Sequence, residues 1–270
     1  MNIKYLILVL LAGTCITTWA DVVAWPADGD WIPLYSEGAL YSDIPGDIGN
    51  NGHEHLDIVG DATNSAAYML YREDAPTSSG GTENQLLFRI RLDDDKNKMS
   101  GAYQIFFETD GDSSVEWVLQ LTTSDLDSSG ILEFGAASGT NRNGVTFGSV
   151  NWTGSYSEYV HWEGTPTADG SQFDGNPDYY LDIAVPWDVF SASSGISSTN
   201  DPFRILITSS QSGGQIDNGD VGNSSVASSV DLSFSDVYSD SIPEPAVAVL
   251  LVGFGSTMLA GRRIFKKTDS

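Results

Sequence analysis

Four carboxylates lie close together in the sequence around one short turn. Glu108 lies two residues before the Asp110-Gly111-Asp112 turn, and Glu116 follows four residues after it. Ca²⁺ takes about six to eight oxygen ligands from carboxylates and carbonyls, and a turn of this composition offers both. The twelve-residue spacing of an EF-hand is absent. The segment therefore predicts either a Ca²⁺ site of another type or a hairpin whose Asp and Gly residues serve backbone geometry.

A second acidic candidate is the triple Asp93–Asp95. Lys96 and Lys98 follow it, which favours a solvated turn over a metal site. The close histidine pair is His53 and His55. In an extended strand both rings would point to the same side and could hold Zn²⁺ or Cu²⁺.

A third ligand for such a histidine site would have to come from elsewhere, such as Asp57 or His161. The flanking Asn-Asn-Gly sequence favours a surface loop instead.

Aromatic residues in polar, Gly- and Ser-rich surroundings are candidates for binding sugars. Exposed rings stack on sugar faces, while nearby Asp, Asn and Gln bind the hydroxyl groups. The alternative is that these rings lie in the core, as most Trp residues of β-sandwiches do. The candidates are Trp152, Tyr156, Tyr159, Trp162 and Tyr180, with Trp25 and Trp31 in addition.

The sequence gives little support for catalysis. It contains no Gly-x-Ser-x-Gly elbow, no His-Glu-x-x-His and no P-loop. A carboxylate pair such as Glu108 and Glu116 could act as acid and base on a glycoside, but a chain this acidic always offers such a pair. We therefore expect a protein that is not an enzyme.

The elements that must position these side chains are β-strands. Apolar and polar residues alternate with period two in five segments, each followed by turn residues. Weaker strands are expected at 55–59, 67–72, 131–135 and 158–162, and mobile loops at 191–200 and 209–229. Eight or more such strands predict one all-β domain over residues 21–240, a single antiparallel β-sandwich. The five segments are Gln85–Leu92, Ala102–Thr109, Val115–Thr122, Asp178–Val185 and Phe203–Thr208.

Charge excludes some partners. The 270 residues carry a net charge of −25, from 12 Lys and Arg against 37 Asp and Glu. Residues 21–240 contain every acidic residue except Glu244 and Asp269. Their 35 acidic and 7 basic residues give a net charge of −28. Nucleic-acid binding needs the opposite charge, whereas divalent cations are attracted. Cys15 is the one cysteine, which excludes an intramolecular disulfide.

The two ends of the chain are typical of targeting segments. Residues 1–20 have Lys4, an apolar run and Ala20 before Asp21, as in a secretory signal peptide. Residues 241–270 contain Pro243-Glu244-Pro245, an uncharged apolar run over 246–261, and a basic tail beginning Arg262-Arg263. This order predicts a short transmembrane sorting helix with a positive-inside stop.

The C-terminal segment resembles the PEP-CTERM sorting signal of Gram-negative bacteria, in which a Pro-Glu-Pro triplet, an apolar helix and an Arg cluster follow one another. The resemblance covers Ile242 to Lys267 and implies processing by exosortase, a membrane transpeptidase, in connection with exopolysaccharide or biofilm. An ordinary membrane anchor with a chance triplet is the alternative. Either way the body is expected to be exported and tethered, at least before processing.

The body resembles the DOMON-like sandwiches, which include the family-9 carbohydrate-binding modules. The resemblance rests on the series HLDIVGD, QLLFRIRLD, AYQIFFETDGDSSVEWVLQL, DYYLDIAVPWDVF and PFRILITSS, from Leu56 to Ser209. It implies a jelly-roll-type fold. We therefore expect a non-catalytic protein of the cell surface or extracellular matrix that binds or organises exopolysaccharide, with Ca²⁺ as a possible cofactor. The alternatives are a structural envelope or biofilm protein without a specific ligand, and a glycan-active enzyme.

Overall fold

The computed structural model describes residues 25–43, 54–94, 101–112, 114–126, 129–138 and 146–210. The expected signal peptide, the Pro243-Glu244-Pro245 triplet, Arg262 and Arg263 lie outside these residues. Within the described part of the chain, no helix is both long and apolar enough to cross a membrane.

Two five-stranded antiparallel sheets are the main elements of the described chain, which confirms the expected all-β antiparallel class. The first sheet has the order β1-β4-β5-β11-β10 and the second β12-β6-β7-β8-β9, while β2 and β3 form a small hairpin. The strands are β1 (Ile32–Pro33), β2 (Tyr35–Ser36), β3 (Ala39–Leu40), β4 (Ala67–Pro76), β5 (Thr82–Leu92), β6 (Gly101–Glu108), β7 (Trp117–Asp125), β8 (Ser129–Ser138), β9 (Thr146–Gly154), β10 (Val160–Trp162), β11 (Tyr179–Pro186) and β12 (Arg204–Ser210).

The period-two pattern directs one apolar face of each sheet into a shared core. Leu86, Phe88 and Ile90 of β5 belong to the same buried cluster as Ile105 and Phe107 of β6. The rings of Phe88 and Phe107 meet edge to face across the two sheets, with centroids 5.6 Å apart. Sheets packed in this way are the arrangement expected of a sandwich.

Three segments that were expected as a strand or a loop take another local structure. Residues 54–56 form a 3₁₀ turn instead of beginning a strand, and Ile58 then makes a single bridge to Leu92. The expected strand at 158–162 is divided into α1 (Tyr156–Tyr159) and β10. The expected loop after residue 190 begins within α2 (Trp187–Ser194), which ends at Gly195 in the left-handed conformation that glycine tolerates (φ 78°).

Candidate functional site

The acidic hairpin after β6 brings together three of its four predicted ligands. Oxygen atoms of Glu108, Asp110 and Asp112 lie within 4.8 Å of one another. Glu108 is buried at the end of β6, whereas Asp110 and Asp112 are exposed. The group therefore has the oxygen chemistry that Ca²⁺ prefers, at the rim of the molecule.

Each of these carboxylates already accepts hydrogen bonds from the turn itself. Glu108 accepts from the Gly111 amide, and Asp110 accepts from the Asp112 amide at 3.1 Å. Asp112 accepts from the amide and the hydroxyl of Ser114 at 2.7 and 2.6 Å. These bonds lower the pKa of Asp112. The bonding is that of Asp side chains closing a tight turn.

The fourth predicted ligand, Glu116, lies outside the group. Its carboxylate accepts from the Thr109 amide and from the Ser114 hydroxyl, both at 2.7 Å. Beside the hairpin, Arg204 places its Nε 3.7 Å from Glu108, and Pro202 and Phe203 line a small open cavity of about 180 Å³. Through its two bonds to Thr109 and Ser114, Glu116, which directly precedes β7, stabilises the turn.

Four of the five predicted sugar-binding rings are half-buried along β9, α1 and β10. The Trp152 and Tyr159 rings meet edge to face with centroids 5.0 Å apart, and Trp162 stacks on Tyr179 at 5.6 Å. The Tyr156 hydroxyl donates to the carbonyl of Leu126. We call Trp152, Tyr156, Tyr159 and Trp162 the aromatic edge, since they follow the side of the molecule where β9 and β10 end the two sheets.

The fifth ring, Tyr180, is buried on the outer face of the first sheet. The guanidinium carbons of Arg89 and Arg91 lie 4.3 and 4.9 Å from its centroid. Its hydroxyl accepts from Arg91 at 2.7 Å and donates to Asp169 at 3.2 Å. Tyr180 therefore orders two arginines, and its ring is 5% exposed.

Arg89 is the centre of an ion-pair cluster that the sequence pattern does not reveal. Its Nε and Nη2 donate to the two oxygens of Asp182 at 2.7 and 2.8 Å, Nη1 donates to Asp28 at 2.5 Å, and Nη2 also donates to Glu163 at 3.1 Å. The Trp31 ring covers it at 4.5 Å. Burial would lower the pKa of Arg89, but the hydrogen bond and charge of Asp182, with Asp28 and Glu163, hold it above its usual value.

Arg91, two residues after Arg89 in β5, forms a second ion-pair cluster. It donates to both oxygens of Asp169, at 2.7 and 3.2 Å, and to the Tyr68 hydroxyl at 2.9 Å. Burial alone would raise the pKa of Asp169, but hydrogen bonds from Arg91, the Ser171 amide and Thr167 outweigh it and hold that pKa well below its usual range. The outer face of β5 is thus a covered polar layer.

His161, Glu163 and Asp182 form a second group with ligand atoms within 4.8 Å of one another. Arg89 already supplies the counter-charge in this group, so a metal ion would have to displace it. His161 instead stacks on Trp25, with centroids 5.4 Å apart and planes at 18°. Of the predicted histidine pair, His55 is buried in the 3₁₀ turn, and His53 lies outside the described residues.

Asp93 and Asp94 are buried, at 1% and 4% exposure, so the prediction of a solvated turn is wrong for these two residues. Asp95, Lys96 and Lys98 lie outside the described residues. Burial raises the pKa of Asp93 to about 7, and the carboxylates of Asp57, Asp178, Asp174 and Asp94 add to this rise. The signal for this cluster in the sequence is an acidic run that directly continues a strongly apolar strand.

We compared the chain with protein-family models, with curated protein sequences and with solved structures. None of the three comparisons gives a match.

Proposed function

We propose that this is an exported, surface-sorted protein without catalytic activity, whose β-sandwich binds or organises extracellular polysaccharide. The observation that carries the proposal is the aromatic edge. It places four half-buried rings on three consecutive elements, β9, α1 and β10. Half-buried rings are held by packing on one side while offering an edge or a face to a ligand on the other.

The residues between the rings support a carbohydrate ligand. Asn151, Thr153, Ser155 and Ser157 alternate with the aromatic positions and are exposed. Their amide and hydroxyl groups are the donors and acceptors that sugar hydroxyls require. An uncharged polar strip beside aromatic rings fits a neutral polysaccharide better than an acidic one, because the chain is strongly negative.

A binding assay on the source bacterium's own exopolysaccharide tests this proposal. The full chain, kept in mild detergent, is run in native gels with and without the polysaccharide. Trp162→Ala is expected to remove most of the retardation, while Tyr35→Ala, an exposed ring on the small β2–β3 hairpin, is expected to leave it intact. Equal retardation of both variants and the parent would contradict the proposal, provided that all three melt at similar temperatures.

A structural role without a specific ligand is the second candidate, and one observation favours it. Trp162 stacks on Tyr179, and Trp152 contacts Tyr159, so each ring already has an aromatic partner within the protein. In that case the aromatic edge would serve packing alone. Loss of thermal stability in Trp162→Ala, with no retardation of the parent in any polysaccharide gel, would be the result expected of this candidate.

The proposed sorting rests on the resemblance of Ile242 to Lys267 to PEP-CTERM signals. Exosortase and the membrane are then the first partners of the chain, and the mature body is released to the cell surface or the matrix. Replacing Pro243-Glu244-Pro245 by three alanines should leave the protein in the membrane fraction, with its apolar run still attached. Unchanged release of this variant would refute exosortase processing.

The finer fold assignment is also a proposal. The shared core of two antiparallel five-stranded sheets supports a jelly-roll or DOMON-like sandwich.

Calcium at the acidic hairpin remains part of the proposed function, supported by the closeness of Glu108, Asp110 and Asp112. Calorimetric titration of Asp110→Asn with Ca²⁺ tests it, since loss of one carboxylate should weaken a hairpin site about tenfold.

A further inference from the structure

Three aspartates lie side by side where the first sheet ends. In the β5–β11 ladder, Arg91 pairs with Tyr180, and Leu92 with Tyr179. Asp93 directly follows β5 and Asp178 directly precedes β11, so the two residues come next in this register. On the other side of Asp93, its amide donates to the Asp57 carbonyl at 3.1 Å, next to the bridge between Ile58 and Leu92. The three side chains thus come from adjacent chain segments.

Across β5 and β11, a charged residue faces an opposite charge in the middle of the ladder but not at the end of the sheet. Arg89 lies opposite Asp182, which is a matched pair, but Asp93 lies next to Asp178, which is an acid beside an acid. Arg91 approaches Asp178 at 3.6 Å but gives its short hydrogen bonds to Asp169 and Tyr180. The end of the sheet therefore carries an excess of negative charge.

Of the three aspartates, Asp93 provides the evidence for a bound ligand. It is 1% exposed, and neither oxygen of its carboxylate has a hydrogen-bond partner. Asp57 and Asp178 beside it are fully buried. A carboxylate taken out of water needs a compensating charge or donors, because its desolvation costs several kcal/mol. This differs from the acidic hairpin, where the turn supplies donors to every carboxylate.

We propose that a divalent cation, Ca²⁺ by its ligand chemistry, binds between Asp93, Asp57 and Asp178 at the end of the first sheet. The donors are all oxygens, which excludes a preference for metals that favour nitrogen or sulfur. The burial favours Ca²⁺ over Mg²⁺, which gives up its water ligands reluctantly. The three carboxylates are not among the groups whose ligand atoms all lie within 4.8 Å of one another, so binding requires their side chains to move closer together. The site is independent of the proposed polysaccharide binding.

The test measures the melting temperature of the full chain in EDTA and in Ca²⁺, with Mg²⁺ at equal ionic strength as a reference. Asp93→Asn is compared with Asp112→Asn, which removes a charge from the exposed hairpin. We expect Ca²⁺ to raise the midpoint of the parent and of Asp112→Asn. In Asp93→Asn the midpoint in EDTA should rise, because a repelling charge is gone, and the Ca²⁺ response should shrink to the part that the exposed hairpin contributes.

Calorimetric titration with Ca²⁺ gives the second measurement, and Asp57→Asn the second variant. We expect the affinity of Asp57→Asn to fall about tenfold or more. Three results would overturn the proposal. They are a parent that responds equally to Mg²⁺ and Ca²⁺, an Asp93→Asn protein that keeps the full Ca²⁺ response of the parent, and an Asp112→Asn protein that alone loses the response.

Discussion

Replacing Arg89 by methionine should cost more stability than any other single arginine change among the described residues. The Arg89 side chain is 1% exposed, and its bidentate partner Asp182 is fully buried. Methionine keeps much of the side-chain volume but leaves Asp182 as a buried charge without its cation. Asp28 and Glu163, at 42% and 20% exposure, lose a partner as well but can still reach water.

The magnitude follows from the geometry. Breaking a buried pair by removing one partner costs about 3–5 kcal/mol. The guanidinium also loses its stacking on Trp31 and Tyr180, worth about 0.5–2 kcal/mol for each desolvated ring. These effects overlap, so we expect a loss of about 4 kcal/mol. With a urea m-value of about 2–3 kcal/mol/M, the unfolding midpoint should fall by about 1.5 M.

Urea unfolding followed by tryptophan fluorescence measures this loss. Arg204→Met is the matched control, because Arg204 is 37% exposed and lies 3.7 Å from its partner Glu108. We expect it to cost about 1 kcal/mol or less. The double variant Arg89→Met/Asp182→Leu should recover most of the loss, since an apolar pair can replace a buried ion pair. A loss below about 1 kcal/mol in Arg89→Met, or no recovery in the double variant, would refute this reasoning.

Three further changes probe other parts of the molecule. Gly154→Ala would place a Cβ 2.2 Å from the Trp152 ring, so that the ring must move; we expect a loss of about 1–3 kcal/mol and a shifted tryptophan emission, whereas Gly81→Ala, with its nearest contact at 3.5 Å, should change neither. Tyr180→Phe removes the hydroxyl that accepts from Arg91 and should cost about 1–3 kcal/mol in urea unfolding, because it leaves a buried donor without that acceptor. The pKa of Asp169 is lower in the folded protein than in the unfolded chain, so its contribution to stability is present above about pH 4 and is lost as the pH falls through the folded-state pKa. Asp169→Asn should therefore flatten the acid side of the stability profile, and an unchanged acid limb would show that Arg91 does not stabilise the charged form of Asp169.

The strands could be predicted where one face is strictly apolar. The Gln85–Leu92 pattern lies within β5, Ala102–Thr109 nearly coincides with β6, and Asp178–Val185 nearly coincides with β11. The reason is that a shift of one residue would turn each apolar face out of the core. In contrast, β9 gave no such signal. Its sequence, TFGSVNWTG, is rich in Gly, Ser and Thr, and it runs along the edge of its sheet.

Nothing in the sequence predicts that the polar face of β5 is buried, so the clusters on this face could not be found from the sequence. Arg89 and Arg91 alternate with apolar residues just as solvated residues do. Their burial depends on Asp28, Glu163 and Asp169, which lie far from them in the chain, and no local pattern reports such distant partners. The acidic hairpin could be found, in contrast, because its residues are neighbours in sequence.

The edge strands of the two sheets also affect whether copies of this protein aggregate at high local concentration. An exposed sheet edge can add a strand from another molecule and so begin aggregation. Here β1 is only two residues long and includes Pro33, which cannot donate to a ladder, and β10 has three residues. Beside β10, β9 is an edge of the second sheet and pairs with β8 through two register shifts, at Phe134/Gly135 and Ala136/Ala137, which interrupt a regular edge. These three edges offer little for a neighbouring copy to extend, and in the fourth, β12, residues Ile205 to Ser210 are buried. A dense layer of the protein can therefore remain a layer of separate folded units instead of fusing into fibres.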